Sequence, residues 1–161
     1  GEEPYTLAIV LSEYAERTPG FQFSILATDI STRVLDKAQL GIYEEHQIAM
    51  IPLFMKQKYF LRSKERKKGQ VRVIPALRSL IQFQRLNLMD EYFSIPEFSL
   101  DAIFCRNVMI YFDRRTQYEL LRKFCRHLKT GEHIFLGHSE TVQGLDLPLV
   151  RIASTIYRKT S

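Results

Sequence analysis

The 161-residue chain has no tryptophan, only two cysteines, seven glycines and six prolines. No apolar run reaches the roughly 20 residues that a helix needs to cross a bilayer. No charged segment followed by an apolar one opens the chain as a secretory signal would. Cys105 and Cys125 lack metal-ligand spacing. They read as free thiols of a cytosolic protein, with a disulfide as the alternative. His127, His133 and His138 form no H-E-x-x-H pattern, which argues against a metal site. The "GHSE" stretch, 137–140, places His, Ser and Glu together without a G-x-S-x-G elbow. Read as part of a strand, its neighbouring side chains point to opposite faces and make no triad. There is no repeat, low-complexity tract or linker, and the length suits one domain with a substantial core.

The composition is that of an ordinary soluble protein, 25% charged and 45% hydrophobic. Net charge is +5, and much of it sits in "KQKYFLRSKERKKGQVR", Lys56 to Arg72. Such a cluster is either a solvated hairpin tip or a docking surface for an acidic partner, protein or nucleic acid.

Pattern predicts the elements. Residues 4–17 form a helix with Pro4 in its first turn and Leu7, Val10, Leu11 and Tyr14 on one face. Thr18, Pro19 and Gly20 stop it. "FQFSILATDI", 21–30, is a strand. Ser31 caps a helix over 32–43, and a second helical segment covers 44–58. "KYFLRS" and "GQVRVIP" alternate around a charged connection, predicting an antiparallel hairpin over 59–74. "ALRSL" is a helical turn. Strands follow at 81–88 and 99–107, the latter starting as a buried run. Asp113 caps an amphipathic helix carrying Tyr118, Leu121, Phe124, Cys125 and Leu128 on one face and closed by Gly131. Residues 132–139 and 149–159 are final strands, paired antiparallel. Alternating strands and helices imply an α/β sheet with mainly parallel pairing, on which the hairpin is an insertion.

In such sheets ligands bind outside the carboxyl ends of the strands. The residues there are Asp29, Asn87 with Leu88, and Cys105, Arg106 and Asn107. A carboxylate at Asp29 can accept both ribose hydroxyls of a nucleotide; its alternative is a helix cap, a role that Ser31 can fill instead. The Asn87 amide suits an adenine edge, with Leu88 as an apolar wall, or else a turn. After Asn107 the apolar "VMIY" returns as a cleft wall, with the Tyr111 hydroxyl toward a reacting centre or simply in the core. "NVMIY" is superficially similar to the Asn-Pro-Pro-Tyr loop that grips a flipped base, but it lacks both prolines, which weakens a nucleic-acid reading. "GEEPY" reads as the tail of a glycine-rich cofactor loop whose strand would come before Gly1, or as an ordinary helix start.

These residues resemble a known family. "GEEPYTLAI", "LATDISTRVLDKAQLGIY", "NL", "DAIFCRNVMIYFDRRTQ" and "GHSE" are similar, in order and over nearly the whole chain, to the CheR-type chemotaxis receptor methyltransferases. The resemblance implies a Rossmann-like sheet with helices on both faces and a small antiparallel β-subdomain at 59–74 that contacts the receptor. It implies methylation of glutamate side chains of bacterial chemoreceptors in the cytoplasm, with S-adenosylmethionine as cofactor and S-adenosylhomocysteine as product. Glu3 and Asp29 would hold its methionine and ribose parts, and Asn87 and Leu88 would flank the adenine. Cys105, Arg106 and Asn107 would line the strand end, and Tyr111 would face the methyl and the incoming glutamate. Neither nucleic acid nor membrane insertion is implied. An ionised glutamate is already a nucleophile at neutral pH, so alignment and desolvation, not a general base or metal, would drive the reaction.

The family also carries a central strand and a helical domain ahead of "GEEPY". The expectations are therefore weak cofactor binding and little activity for this chain alone, and a homodimer formed by strand exchange. A non-catalytic module that binds the cofactor or a partner is the competing reading.

Overall fold

A computed structural model describes residues 1–63 and 69–161. The tip of the basic hairpin, residues 64–68, lies outside the described residues. The chain divides into two compact units, Gly1–Asn87 and Leu88–Ser161.

In the first unit, α1 (Glu2–Arg17) turns Tyr5, Ala8 and Ile9 inward. The parallel strands β1 (Ile25–Asp29) and β5 (Ile81–Arg85) pair residue for residue from Ile25↔Ile81 to Asp29↔Arg85. Between them lies α2 (Thr32–Leu40), which ends at Gly41 in the left-handed region, φ 62°. A side chain there would also press on Arg78, Tyr5 and Val73. The expected hairpin is present as β3 (Phe60–Arg62) and β4 (Gln70–Val73). It gains a third strand, β2 (Ile42–Glu44), on the other side of β4.

That third strand cuts short the helix expected over 32–43, and the helix expected over 44–58 is also corrected. The segment is instead β2, a 3₁₀ turn (Glu45–Ile48) and the short α3 (Leu53–Tyr59), with Pro52 at its N-terminus. The backbone of "IYE" is taken by β4, and pairing across a sheet outweighs local helix preference. After β4 comes the single-turn α4 (Pro75–Arg78). The core joins Tyr5, Ala8, Ile9, Ala27, Tyr43, Val73 and Leu77, with Tyr5 and Tyr43 edge to face at 6.1 Å.

In the second unit the sheet order is β6 (Leu100–Cys105), β7 (Leu128–Leu136), β9 (Ile156–Lys159) and β8 (Leu149–Ala153). The mainly parallel pairing expected from the sequence is limited to β1/β5 and β6/β7. The β7/β9 pair is antiparallel, as expected for these last strands, and 149–159 is not one strand but folds back on itself as the antiparallel pair β8/β9. Asp113 caps α5 (Arg114–His127), which buries Leu120, Leu121, Phe124 and Cys125. Gly131 does not close this helix; the chain leaves it at His127 and enters β7 directly. The cap comes from far away. Lys159, only 3% exposed, donates from Nζ to the Cys125 and Leu128 carbonyls at 2.6 and 2.9 Å. A cation at a helix C-terminus meets the negative end of its dipole.

Strand β6 is less buried than its sequence suggests, and Phe104 is 41% exposed. Among the described residues β1 pairs only with β5, and β6 only with β7. Each leaves one hydrogen-bonding edge without a strand, so part of the apolar run faces outward.

Candidate functional site

Asp29 ends β1, and the Leu86 amide donates to its carbonyl at 3.0 Å, so the end of β5 and Asn87 beyond it lie beside it. The Asp29 side chain is half-buried and accepts the Ser31 amide through Oδ1 at 2.8 Å. Ser31 then caps α2 through the Val34 amide. The serine thus takes the capping role and leaves Asp29 pointing its carboxylate from the strand end. Of the two acids that open α1, Glu2 accepts the Gln47 side-chain amide at 3.0 Å, while Glu3 sits half-buried next to it in sequence.

The second unit presents the other predicted residues. Cys105 is buried at the end of β6, opposite Leu136. Arg106 and Asn107 follow it into solvent. Asn107 has φ 58°, a left-handed conformation that asparagine tolerates better than most residues. A 3₁₀ turn (Met109–Tyr111) buries Met109 and leaves Tyr111 80% exposed, so Tyr111 is no core residue. Leu88, at the start of this unit, is held by Lys123, whose Nζ takes the Leu88 and Asp90 carbonyls at 2.5 and 2.8 Å. Burial lowers the Lys123 pKa.

Sequence reasoning missed what holds this end together. "GHSE" is a turn after β7, not part of the strand, and Glu140 is folded inward at 6% exposure. Its carboxylate accepts four main-chain amides, from Asn107, Val108, Met109 and Gly137. Gln117 donates its side-chain amide to the Met109 and Phe112 carbonyls, both at 2.9 Å. The positive φ at Asn107 is the only local trace of this, and it is invisible in a sequence.

Two cavities in the first unit lie elsewhere. One of about 490 Å³, lined by Tyr5, Gln39, Arg78 and Ile81, opens at the start of β5, the opposite end from Asp29. The other, about 540 Å³, is walled by Ile48, Leu53, Lys56, Phe60 and Arg62 of the small three-stranded region.

The family described as "CheR methyltransferase, SAM binding domain" matches residues 1–157. The chain belongs to this family. It is 48% identical over 145 residues to a chemotaxis protein methyltransferase of Borreliella burgdorferi, covering 89% of this chain and 50% of that protein. It is 40% identical over 157 residues to the chemotaxis protein methyltransferase of Escherichia coli, covering 98% of this chain and 54% of that one. The chain thus spans about half the length of these curated relatives. Among solved structures, an S-adenosylmethionine dependent methyltransferase from Mesorhizobium loti is 16% identical, with a TM-score of 0.41 over 78% of this chain and 39% of its own.

As a CheR methyltransferase domain, the chain takes S-adenosylmethionine as its cofactor. The Asp29 carboxylate, with Oδ1 taken by the Ser31 amide, has the chemistry to accept ribose hydroxyls.

Proposed function

We propose that this chain carries the transfer of a methyl group from S-adenosylmethionine to glutamate side chains of bacterial chemoreceptors, yielding glutamate methyl esters in the cytoplasm. Residues 1–161 form its catalytic domain, with 59–74 as the β-hairpin subdomain, and this chain by itself would bind the cofactor weakly and show little activity. The observation that carries this reading is the half-buried Asp29 carboxylate at a strand end, in a chain of the CheR family. Chemotaxis methyltransferases among its relatives support the substrate class.

When bound, S-adenosylmethionine supplies an electron-poor methyl carbon. Asp29 would hold its ribose, Glu3 its methionine part, and Asn87 and Leu88 its adenine. Cys105, Arg106 and Asn107 would line its reactive side. The substrate carboxylate is ionised at neutral pH and needs no base. The methyl would pass to one of its oxygens with the bonding pair of the carbon–sulfur bond remaining on sulfur. Tyr111 would orient the incoming carboxylate, and alignment supplies most of the rate. The hairpin at 59–74 would contact the receptor. The cavity beside it joins Ile48, Leu53 and Phe60 with Lys56 and Arg62, a mixed apolar and basic lining suited to a glutamate-bearing partner. The open edges of β1 and β6 favour strand-exchanged pairing of two copies of this chain, for which light scattering should give a dimeric mass; a monomer would rule it out.

The test is transfer of a labelled methyl group by the full-length protein to a receptor cytoplasmic fragment, compared with RNA. Base-labile label on the receptor fragment is the expected result. Cofactor binding without transfer, or label on RNA, overturns the reading.

A further inference from the structure

We propose that Glu140 and Gln117 are positioning residues for methyl transfer, suspending the main chain of residues 107–112 so that Asn107 and Tyr111 are presented in one fixed geometry. This rests on the function proposed above, but the observations behind it are independent of that reading.

The segment 107–112 packs through the buried Met109 and otherwise lies largely at the surface. It follows a strand that pairs only with β7 among the described residues, starts at a left-handed residue and exposes Asn107, Ile110 and Tyr111. Its own hydrogen bonds are the turn contacts from the Tyr111 amide to the Val108 carbonyl, 3.3 Å, and from the Phe112 amide to the Met109 carbonyl, 3.0 Å. Two side chains, the distant Glu140 and the nearby Gln117, add further bonds, and they divide the peptide groups by polarity. Glu140 takes donors: Oε2 accepts the Asn107 amide at 3.1 Å, and Oε1 accepts the Val108 and Met109 amides at 2.9 and 2.7 Å. Gln117 takes acceptors, donating to the Met109 and Phe112 carbonyls. Met109 is thus held by its N–H from one side and by its C=O from the other.

Each holder is itself held. The Gly137 amide donates to Glu140 Oε2 at 2.6 Å. Position 137 has no room for a side chain: a Cβ there would stand 2.7 Å from Glu140 Oε2, 2.8 Å from Asn107 Oδ1 and 3.0 Å from the Asn107 nitrogen. Glycine therefore lets the turn after β7 close on the Asn107 loop. Arg114 donates to Gln117 Oε1 at 3.2 Å, which fixes the amide with its NH₂ toward the two carbonyls, and also to the Thr141 carbonyl at 3.3 Å. Arg114 thereby ties α5 to the same 137–143 turn that carries Glu140. A carboxylate buried against several N–H groups gives strong, directional bonds. A tyrosine that is 80% exposed has no packing of its own to set its position, so the geometry of Tyr111 is inherited from this main-chain frame.

The experiment compares full-length wild type with Glu140→Gln, Gln117→Met and Gln117→Glu. Three quantities are read: S-adenosylhomocysteine affinity, the kcat and KM of methyl transfer, and the amide proton shifts of Val108 and Met109. Glu140→Gln keeps one carbonyl for Val108 and Met109 but turns an NH₂ toward the Asn107 and Gly137 amides. It should lower kcat about tenfold with little change in KM for the receptor fragment, and move both amide signals upfield as charge leaves their acceptor. Gln117→Met removes the donors without changing size and should cost several-fold in kcat. Gln117→Glu sets a negative charge against two carbonyls and should fall below Gln117→Met. Shifted amide signals with kcat and cofactor affinity unchanged in all three variants would make the frame purely structural and overturn the proposal. Gln117→Glu equal to or better than Gln117→Met would also overturn it, and does not depend on whether Glu140→Gln folds. A wild type that binds no S-adenosylhomocysteine would instead sink the proposed function.

Discussion

The strand end at Asp29 and the strand end at Cys105 present their side chains by opposite means. At the first, the bonds that place the Asp29 and Ser31 side chains are local. Asp29 accepts the amide two residues on, and Ser31 accepts the amide three residues on. At the second, the holding groups come from far along the chain. Glu140 reaches back to 107–109. Short-range bonds form as soon as the turn forms and depend little on the rest of the unit. Long-range bonds exist only when α5, β7 and the turn after it are already in place. The first end should therefore tolerate change elsewhere in its unit, whereas the second should report on the integrity of the whole second unit.

The sharpest way to break this comparison is to remove one holder from each end. Glu140→Ala strands four main-chain donors, of which the Met109 and Gly137 amides are buried. Unsatisfied buried donors cost about 1–3 kcal/mol each, partly relieved by water at the more open pair, so the expected loss is about 3 kcal/mol of unfolding free energy. Ser31→Ala removes one exposed cap bond of 3.4 Å. It should cost about 0.5 kcal/mol, the low end of the range for helix caps. Denaturant titration of the two variants checks both values. Equal losses would mean that the two ends are held alike.

The same contrast explains what could be read from the chain alone. Asp29, Ser31 and Asp113 were legible because strand-end carboxylates and helix caps act within a few residues, and their partners are adjacent in the text. The hairpin was legible because alternation has a fixed period. Glu140 was not, because a carboxylate that satisfies distant main-chain amides leaves no local pattern. Its neighbours His138 and Ser139 drew attention to a triad that the turn does not build. The β2 strand was missed for a related reason: "IYE" is too short for its Ile and Tyr to show an alternating pattern, and its strand is completed by pairing with β4. Lys159 resembles an ordinary strand-end lysine until its two carbonyl partners on α5 and β7 are seen.

A second pair of substitutions sharpens the comparison in functional terms. Asp29→Ala removes the group proposed to hold the ribose. Charged hydrogen bonds contribute about 1.5–3 kcal/mol, so S-adenosylhomocysteine affinity should fall roughly 10- to 100-fold. Stability should change little, because only the Ser31 amide loses its partner. Tyr111→Phe keeps the exposed ring and removes the hydroxyl. It should leave affinity within about twofold and lower kcat about tenfold, since its hydroxyl is proposed to act on the incoming carboxylate. Calorimetry and single-turnover kinetics separate the two. A loss of affinity in Tyr111→Phe with kcat intact would reverse the assigned roles.

The smallest effect concerns the caps themselves. α2 starts at a serine, whose hydroxyl does not titrate in the working range, and α5 starts at an aspartate. The Thr116 amide and hydroxyl bonded to Asp113 hold its carboxyl below its ordinary value of 3.8. A carboxyl whose pKa is lower when folded stabilises the fold above its unfolded pKa, and this contribution disappears as pH falls from about 3.8 through the folded value. The loss belongs to the start of α5, the helix that also carries Gln117. Asp113→Ser replaces the titrating cap with one of the kind found on α2. Its melting temperature should therefore drop less than that of wild type between pH 6 and pH 3, whereas Ser31→Ala should leave the wild-type acid profile unchanged and only displaced. Thermal melts across that range decide the matter. If Asp113→Ser keeps the full acid sensitivity, the acid response of the second unit arises at other carboxylates, and the difference between the two caps has no consequence for stability.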